Sequence, residues 1–429
     1  MQFENTFDFA QKADQQDPIN ALRNHFHIPS ENGKPVIYFC GNSLGLQPKN
    51  TSGLVEAEMQ KWRELAVKGH FCGQGQWYDF HKSLKPFYQD IIGATPEEVA
   101  IMNNLTVNLH LMMATFYRPT SQRYKILLEA GAFPSDYYAL ETQAQQHGLD
   151  PAEVLVPLSP RPGEHILHTE DILSAIHQHQ DSLALVMLGG INYYTGQWFD
   201  MPAITQAAQS KGIVVGFDLA HAAGNVLLQL HDWGIDFAVW CTYKYLNSGP
   251  GGVGGAFVHQ KHAQNTQLHR LAGWWGYDET TRFQMQPGFK AIANADGWQL
   301  ANHAILSLTC HKAALEIFGK TSMAALRAKS TQLTAYAAAI IAQINEQQGA
   351  GLTIITPSNA SERGAQLSID TGKQGKRLFE ILSEAGVVAD WREPNVIRIA
   401  PTPLYNTFEE VYQFGQILTN ALQPQPATT

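Results

Sequence analysis

No apolar run in the 429 residues approaches the ~18 that a helix needs to cross a bilayer, which excludes a helical membrane span. The opening stretch, Met1 to Gln15, carries Glu, Asp, Gln and Lys where a secretory signal would need an apolar core. Cysteine is scarce. Cys40, Cys72, Cys241 and Cys310 stand far apart without a C-x-x-C pair, so neither a disulfide framework nor a zinc knuckle is indicated, and no metal site is expected. Positive charge is also short: 29 Lys and Arg against 38 Asp and Glu give a net charge of −9. Such a chain has no global footprint for nucleic acid or an anionic membrane, although a local basic pocket could still take a small anion. Internal repeats and low-complexity blocks are missing too. The expectation is a cytosolic protein with neither nucleic-acid nor membrane partners.

What is present suits packed domains. The chain is 44% hydrophobic and 16% charged, unlike disordered or fibrous sequences. The first ~35 residues are polar and irregular and read as an arm. After Val36–Phe39 comes a turn-rich stretch, Gly41 to Pro48, and a helix is expected from Pro48, where a missing N–H does no harm. From about residue 97, short apolar runs alternate with helical patterns. The runs are Tyr124–Leu128, Glu153–Pro157, Leu183–Leu188, Ile213–Phe217, Phe237–Trp240 and Ala256–Val258, read as strands buried on both faces. Between the earlier ones lie helical stretches Pro134–His147, Thr169–Gln180 and Met201–Lys211. This alternation predicts an α/β fold with a large, mostly parallel sheet.

Near residue 303 the pattern changes. Long helical sequence runs to about Gln347 with a break near Gly319. Short strands at Leu352–Ile355, Gln366–Ile369 and Val396–Ile399 then alternate with helices over Lys376–Gly386 and Phe408–Leu422. That is a smaller α+β C-terminal unit, with a loose Pro- and Thr-rich tail after Leu422. The expected division is an arm over 1–50, a large domain over 51–302 and a small domain over 303–429.

Two stretches carry the chemistry. Ile213–Phe217 runs into Asp218, Leu219, Ala220 and His221, which puts a carboxylate at a strand's carboxyl end, where open α/β sheets bind ligands. After a second apolar run comes Thr242-Tyr243-Lys244-Tyr245-Leu246-Asn247. A lysine among Trp240, Tyr243, Tyr245 and Leu246 is desolvated, as a Schiff-base lysine requires. The tract Gly249 to Gly255 would let backbone approach a ligand closely. An Asp and a Lys so placed suit pyridoxal phosphate: the Asp keeps the ring nitrogen protonated and the Lys holds the aldehyde. An ordinary helix cap for Asp218 and a solvated edge for Lys244 are the plainer readings. Further along, Asn103 to Asn108 precedes the helical pattern Leu109–Phe116, at an amino end that could cradle phosphate or simply be capped. Phe133-Pro134-Ser135-Asp136 opens another, where Phe133 could lie on a planar ring and Ser135 or Asp136 could be a cap.

Several strings together resemble the kynureninase family of fold-type-I pyridoxal-phosphate enzymes. They include Tyr38 to Pro48, Phe133-Pro134-Ser135-Asp136, Val215 to Ala222, Leu230-His231-Asp232-Trp233-Gly234, Thr242 to Asn247, Gly273-Trp274-Trp275-Gly276 and Ile397-Arg398-Ile399-Ala400-Pro401. The resemblance implies Lys244 as the Schiff-base lysine, Asp218 on the ring nitrogen, and Leu105, Thr106 and Tyr243 at the phosphate end. Phe133 would stack on the ring in the company of Pro134 and Ser135, with Asp136 and His221 beside it. It implies a homodimer in which Trp274 and Asn302 reach toward the partner's cofactor. Arg398 would bind the substrate's α-carboxylate, and Ser43, His70 and Asn302 its aromatic half. The reaction implied is hydrolytic Cβ–Cγ cleavage of L-kynurenine, 3-hydroxy-L-kynurenine or both, giving anthranilate or 3-hydroxyanthranilate and alanine, in tryptophan breakdown or NAD synthesis. One departure stands out. Where family members offer a hydroxyl to the phosphate before the turn, Gly189-Gly190 has no side chain to offer.

Competing readings are another fold-type-I enzyme, such as a cysteine desulfurase or an aminotransferase-like protein, and a serine hydrolase. For the latter, Gly41-Asn42-Ser43-Leu44-Gly45 matches G-x-S-x-G, with Ser43 as nucleophile. The elbow needs a helix directly after the serine, and Pro48 biases Gln47 away from helical angles. The tract Gly251 to Gly255 lacks the G-x-G-x-x-G spacing of a dinucleotide fingerprint.

Overall fold

The computed structural model describes residues 3–423. The part of the Pro- and Thr-rich tail from 424 onward lies outside them. Seven strands form the large sheet, in the order Val99–Ile101, Gly254–Val258, Phe237–Cys241, Val214–Asp218, Leu183–Gly189, Lys125–Glu129, Leu155–Leu158. The neighbours from Phe237–Cys241 to Leu155–Leu158 are parallel, and Gly254–Val258 runs antiparallel to both of its neighbours. The sheet is α/β and mostly parallel, as the alternation predicts.

Helices cover both faces, and each starts where local chemistry allows. Pro134 opens Pro134–Gln146 at the one turn where its missing N–H costs nothing. Asp200 caps Met201–Gln209 by accepting the Ala203 amide at 3.1 Å. Two apolar cores form, one on each side of the strands: Leu127, Val186, Val215 and Phe217 point to one, Ile126, Leu185, Phe237 and Val239 to the other. Residues alternating along one strand therefore go to opposite cores, which is why the runs are apolar throughout.

Several sequence expectations shift. The run expected as a buried strand at Glu153–Pro157 begins as a helical turn, Pro151–Val154, capped by Asp150, and continues as an edge strand only half covered. An edge strand tolerates Pro157, because no partner needs its N–H. The helix expected from Pro48 begins at Thr51. The arm is not irregular throughout. Phe7–Gln16 is helical with Thr6 as cap, and Ala10, Ile37 and Phe39 join the core of the C-terminal unit.

That unit holds a four-stranded antiparallel sheet, Thr353–Ile354, Leu367–Asp370, Val396–Ile399 and Asp390–Arg392 in spatial order. The long helix Met323–Gln348 packs against Phe408–Ala421 and connects it to the large sheet. Asp14 ties the arm to the C-terminal helix by accepting the first-turn amides of Phe408 at 2.8 Å and Glu409 at 2.9 Å. Those amides have no intrahelical partner, so the carboxylate satisfies them and complements the helix dipole.

Candidate active site

A cleft of about 530 Å³ opens at the carboxyl ends of the parallel strands. Asp218 ends one strand, Glu129 and Gly189 end two others, and the turn after Phe237–Cys241 brings in Tyr243 and Lys244. Leu105 and Thr106 contribute from the start of helix Leu105–Phe116, and Phe133, Ser135 and Asp136 from the start of Pro134–Gln146. Ile191, Tyr193, Ala220 and His221 complete the lining. Lys244 is the only lysine or arginine among the described residues lining it.

The ammonium of Lys244 lies 5.8 Å from the Phe133 ring centre and 6.0 Å from that of Tyr243. Asp218 is 6% exposed, and its Oδ1 accepts the Ala220 amide at 2.7 Å. Burial raises the carboxyl's pKa, while a hydrogen bond from Asp136, the Lys244 charge and the Ala220 amide pull it back. Asp136 is raised well above the carboxylate range, by burial first and then by the Asp218 charge. Both carboxyls are raised and the larger rise falls on Asp136, so a proton held by the pair favours Asp136. Burial pushes the imidazole of His221 well below its ordinary value, with Lys244, Arg398 and Arg392 adding to the effect, so it is neutral. Burial also raises the Tyr243 phenol, which stays protonated.

Helix Leu105–Phe116 presents its amino end to the cleft. Asn104 takes the Val107 amide at 3.2 Å, which leaves those of Leu105 and Thr106 for an anion. The hydroxyls of Thr106 and Ser135 meet at 2.8 Å beside them. Pro134, at the first position of its helix, does not itself line the cleft.

Arg398 stands behind Tyr193. It is 1% exposed; its Nη1 donates to the Tyr193 carbonyl at 2.6 Å and its Nε to Asp390 at 2.9 Å. Ser43 is near Cys40 on a loop that docks onto the lysine turn: the Gly45 amide donates to the Tyr243 carbonyl at 2.8 Å. Trp274, Asn302 and His70 lie outside their own chain's cleft. Trp274 packs on Phe283, and Phe283 on Phe71 beside His70, in an aromatic surface where Phe71 is 52% and Phe283 55% exposed.

The glycine tract does not approach the cleft. A Cβ at Gly255 would stand 2.2 Å from the Trp240 ring and one at Gly254 3.0 Å from the Asn104 backbone. At these two positions the tract lets a strand pass close to its protein neighbours. The G-x-S-x-G match has a similar explanation. A Cβ on Gly41 would be 2.3 Å from Thr402 Oγ1 and one on Gly45 2.4 Å from the Lys244 carbonyl oxygen. The helix that should follow a nucleophile elbow begins only at Thr51. Cys40 reaches the neighbourhood of Arg398 and Asp390, and burial pushes its thiol up to about 11, away from nucleophilic form.

Glu129, Tyr193, Ile191 and Ala220 were not singled out in the sequence. Glu129 carries the same signal as Asp218, an acid ending an apolar run, but the expected strand stopped at Leu128. Burial lifts its carboxyl to about 7, against the pull of the Gly189 amide and Asn192 and with a further push from Asp218. Another acid-histidine group, Glu98 with His231 and His259, lies at the opposite end of the strands, before Val99–Ile101 and Phe237–Cys241 and after the antiparallel Gly254–Val258. There Glu98 is hydrogen-bonded to His231 at 2.9 Å and to the Gln260 amide at 2.9 Å.

Comparison with known proteins adds the following. Residues 326–418 match the family described as the kynureninase C-terminal domain. The chain is 50% identical over 422 residues to a kynureninase of Flavobacterium psychrophilum, covering 98% of this chain and 99% of that one. It is 51% identical over 417 residues to a kynureninase of Myxococcus xanthus, covering 97% of each, and 48% identical over 436 residues to one of Nematostella vectensis, covering 97% and 94%. Among solved structures it resembles a cysteine desulfurase of Thermococcus onnurineus NA1, with a TM-score of 0.73 at 16% identity and 98% of each chain covered. It also resembles the C-DES protein carrying glycine covalently linked to its PLP cofactor, with a TM-score of 0.74 at 15% identity over 89% of this chain and 96% of that one. At these identities the solved structures establish the fold, that of fold-type-I enzymes.

Proposed function

The chain belongs to the kynureninase family, and from that premise we propose that it is a pyridoxal-phosphate-dependent hydrolase. It would cleave the Cβ–Cγ bond of L-kynurenine, 3-hydroxy-L-kynurenine or both, releasing anthranilate or its 3-hydroxy form and alanine. The observation that carries this reading is Lys244 facing the Asp136–Asp218 pair across one cleft. The residues fit the cofactor. Asp136 Oδ1 and His221 Nδ1 are buried polar atoms with no protein partner, and the amides of Leu105 and Thr106 open an anion site beside two hydroxyls.

Lys244 would hold the aldehyde carbon, Asp218 the ring nitrogen, and Leu105, Thr106 and Ser135 the phosphate, with Phe133 against the ring. When bound, pyridoxal phosphate supplies the electron sink that makes the substrate's α-carbon acidic. The chain supplies the rest. By keeping its proton, Asp136 leaves Asp218 anionic toward a cationic ring nitrogen. The amine of Lys244, once free, takes and returns protons at the α-carbon. Neutral His221 places an imidazole nitrogen inside the cleft without adding charge. Arg398, held by Asp390, offers its remaining N–H groups to the substrate's α-carboxylate. Phe133 and Tyr193, edge to face at 5.2 Å, wall the cleft on the Arg398 side.

The finer reading follows the family. A homodimer is supported by the exposed aromatic surface around Trp274 and Phe283, which would carry Trp274, His70 and Asn302 to a partner's cleft. Among the described residues no helix is long and apolar enough to cross a membrane; the cytosol remains the location proposed. A place in tryptophan breakdown or NAD synthesis follows from the substrates. The experiment is direct. Purified protein loaded with pyridoxal phosphate should show a visible absorption band, and incubation with either kynurenine should release alanine and the aromatic acid in equal amounts. Loaded protein that released neither product would refute the reading.

A further inference from the structure

Strands Lys125–Glu129 and Leu183–Gly189 are parallel neighbours, with Leu127 opposite Val186, so their last residues reach the cleft side by side. Gly189 projects no side chain there. A Cβ at that position would lie 3.2 Å from Glu129 Oε1, tighter than an ordinary contact. The carboxyl of Glu129 thus occupies the space into which a side chain at 189 would reach. It is 4% exposed, yet it lines the cleft. Its two protein contacts are long, from the Gly189 amide and from Asn192 Nδ2, both at 3.3 Å. A carboxyl group has about four lone-pair sites, and a buried one left so loosely satisfied is costly unless something else meets it.

We propose that Glu129 is a cofactor-binding residue of this chain, supplying from the neighbouring strand the polar contact that Gly189 has no side chain to make. This rests on the reading of the cleft as a pyridoxal-phosphate site. The neutral form of Glu129, favoured by burial, has an O–H to donate, and the cofactor brings anionic oxygens that accept one. The geometry also makes the two positions interdependent: a larger residue at 189 needs a smaller or displaced one at 129.

That interdependence gives the test. Apo-protein is titrated with pyridoxal phosphate, and the dissociation constant is read from absorbance or fluorescence. Glu129→Ala should weaken binding roughly tenfold, the scale of one lost hydrogen bond. Adding Gly189→Ser to that variant should recover most of the loss, because a hydroxyl returns where the carboxyl was removed. A purely structural Glu129 predicts no such recovery. If Glu129→Ala fails to fold, Glu129→Val, which suits a strand and is still smaller than the native side chain, removes the polar group and leaves room at 189, and the same pair of measurements decides. Equal affinity of wild type and the single variant, or no recovery in the double variant, would overturn the inference while leaving the family reading intact. Wild-type protein that took up no pyridoxal phosphate would overturn that reading, and the inference with it.

Discussion

Asp390 grips Arg398 side-on: Oδ1 accepts Nε at 2.9 Å, and Oδ2 lies 2.8 Å from Nη2. With Nη1 also donating to the Tyr193 carbonyl, Nε and Nη1 are hydrogen-bonded while Nη2 stands in the ion pair. The terminal nitrogens keep further N–H groups of the kind a carboxylate accepts. Truncating one partner of a buried charged pair costs ~2–5 kcal/mol. Arg398→Leu should therefore lower kcat/KM for kynurenine by roughly 10²–10³. Asp390→Asn keeps an oxygen for Nε and should cost about tenfold, mainly through KM, because it loosens the arginine rather than removing it. Steady-state kinetics on both variants check the assignment.

Lys244 should be the residue that captures the cofactor. Borohydride reduction of the loaded protein followed by peptide mapping is expected to place the label on Lys244. Label on any other lysine would move the site.

The loop Gly41 to Gly45 distinguishes packing from catalysis. A Cβ at Gly45 would stand 2.4 Å from the Lys244 carbonyl and 2.3 Å from Asn247 Oδ1. Gly45→Ala should cost ~1–3 kcal/mol of stability, as overpacking does. Denaturant midpoints measure it. Ser43→Ala should retain activity within about tenfold, because its hydroxyl is not a nucleophile here; removing a true nucleophile costs ~10⁶.

Glu129 makes the apo-protein's stability depend on pH in a defined direction. Its carboxyl rises from 4.5 to about 7 on folding, so between those values the folded state binds the proton that the unfolded chain has released. Stability is full below the unfolded value and falls as pH rises toward the folded one. At ~1.4 kcal/mol per tenfold the loss is about 3 kcal/mol. Glu129→Gln should lack this component. Chemical denaturation at pH 5 and pH 8 should show the wild type losing more stability than the variant.

Active protein should sediment at twice the chain mass of 47.5 kDa. Phe283→Asp places a charge in the exposed aromatic surface, on a residue that does not line the cleft. It is expected to shift the protein toward monomer and lower activity together. A fully active monomer would remove Trp274, His70 and Asn302 from the site.

Much was legible in the sequence because it is local. An apolar run buried on both faces, an acid at its end and a lysine among aromatics can each be read within ten residues, and those signals located Asp218, Lys244 and the start of helix Pro134–Gln146. The helix expected from Leu109 starts a turn earlier, at Leu105, where Asn104 accepts the Val107 amide, and Thr407 caps the helix that was expected from Phe408. The tertiary structure decided what depends on which distant segments become neighbours. Sheet order sets Gly189 between Asp218 and Glu129, and no spacing in the chain encodes that adjacency. The same holds for Asp136 against Asp218, which meet because one strand end and one helix start converge. The glycines of Gly41 to Gly45 read as a catalytic motif from sequence, but their role is close approach to Thr402 and Lys244, residues far away in the chain. Side-chain identity is written along the chain. Burial, which shifts pKa values and leaves polar atoms waiting for a partner, is a property of the packed whole.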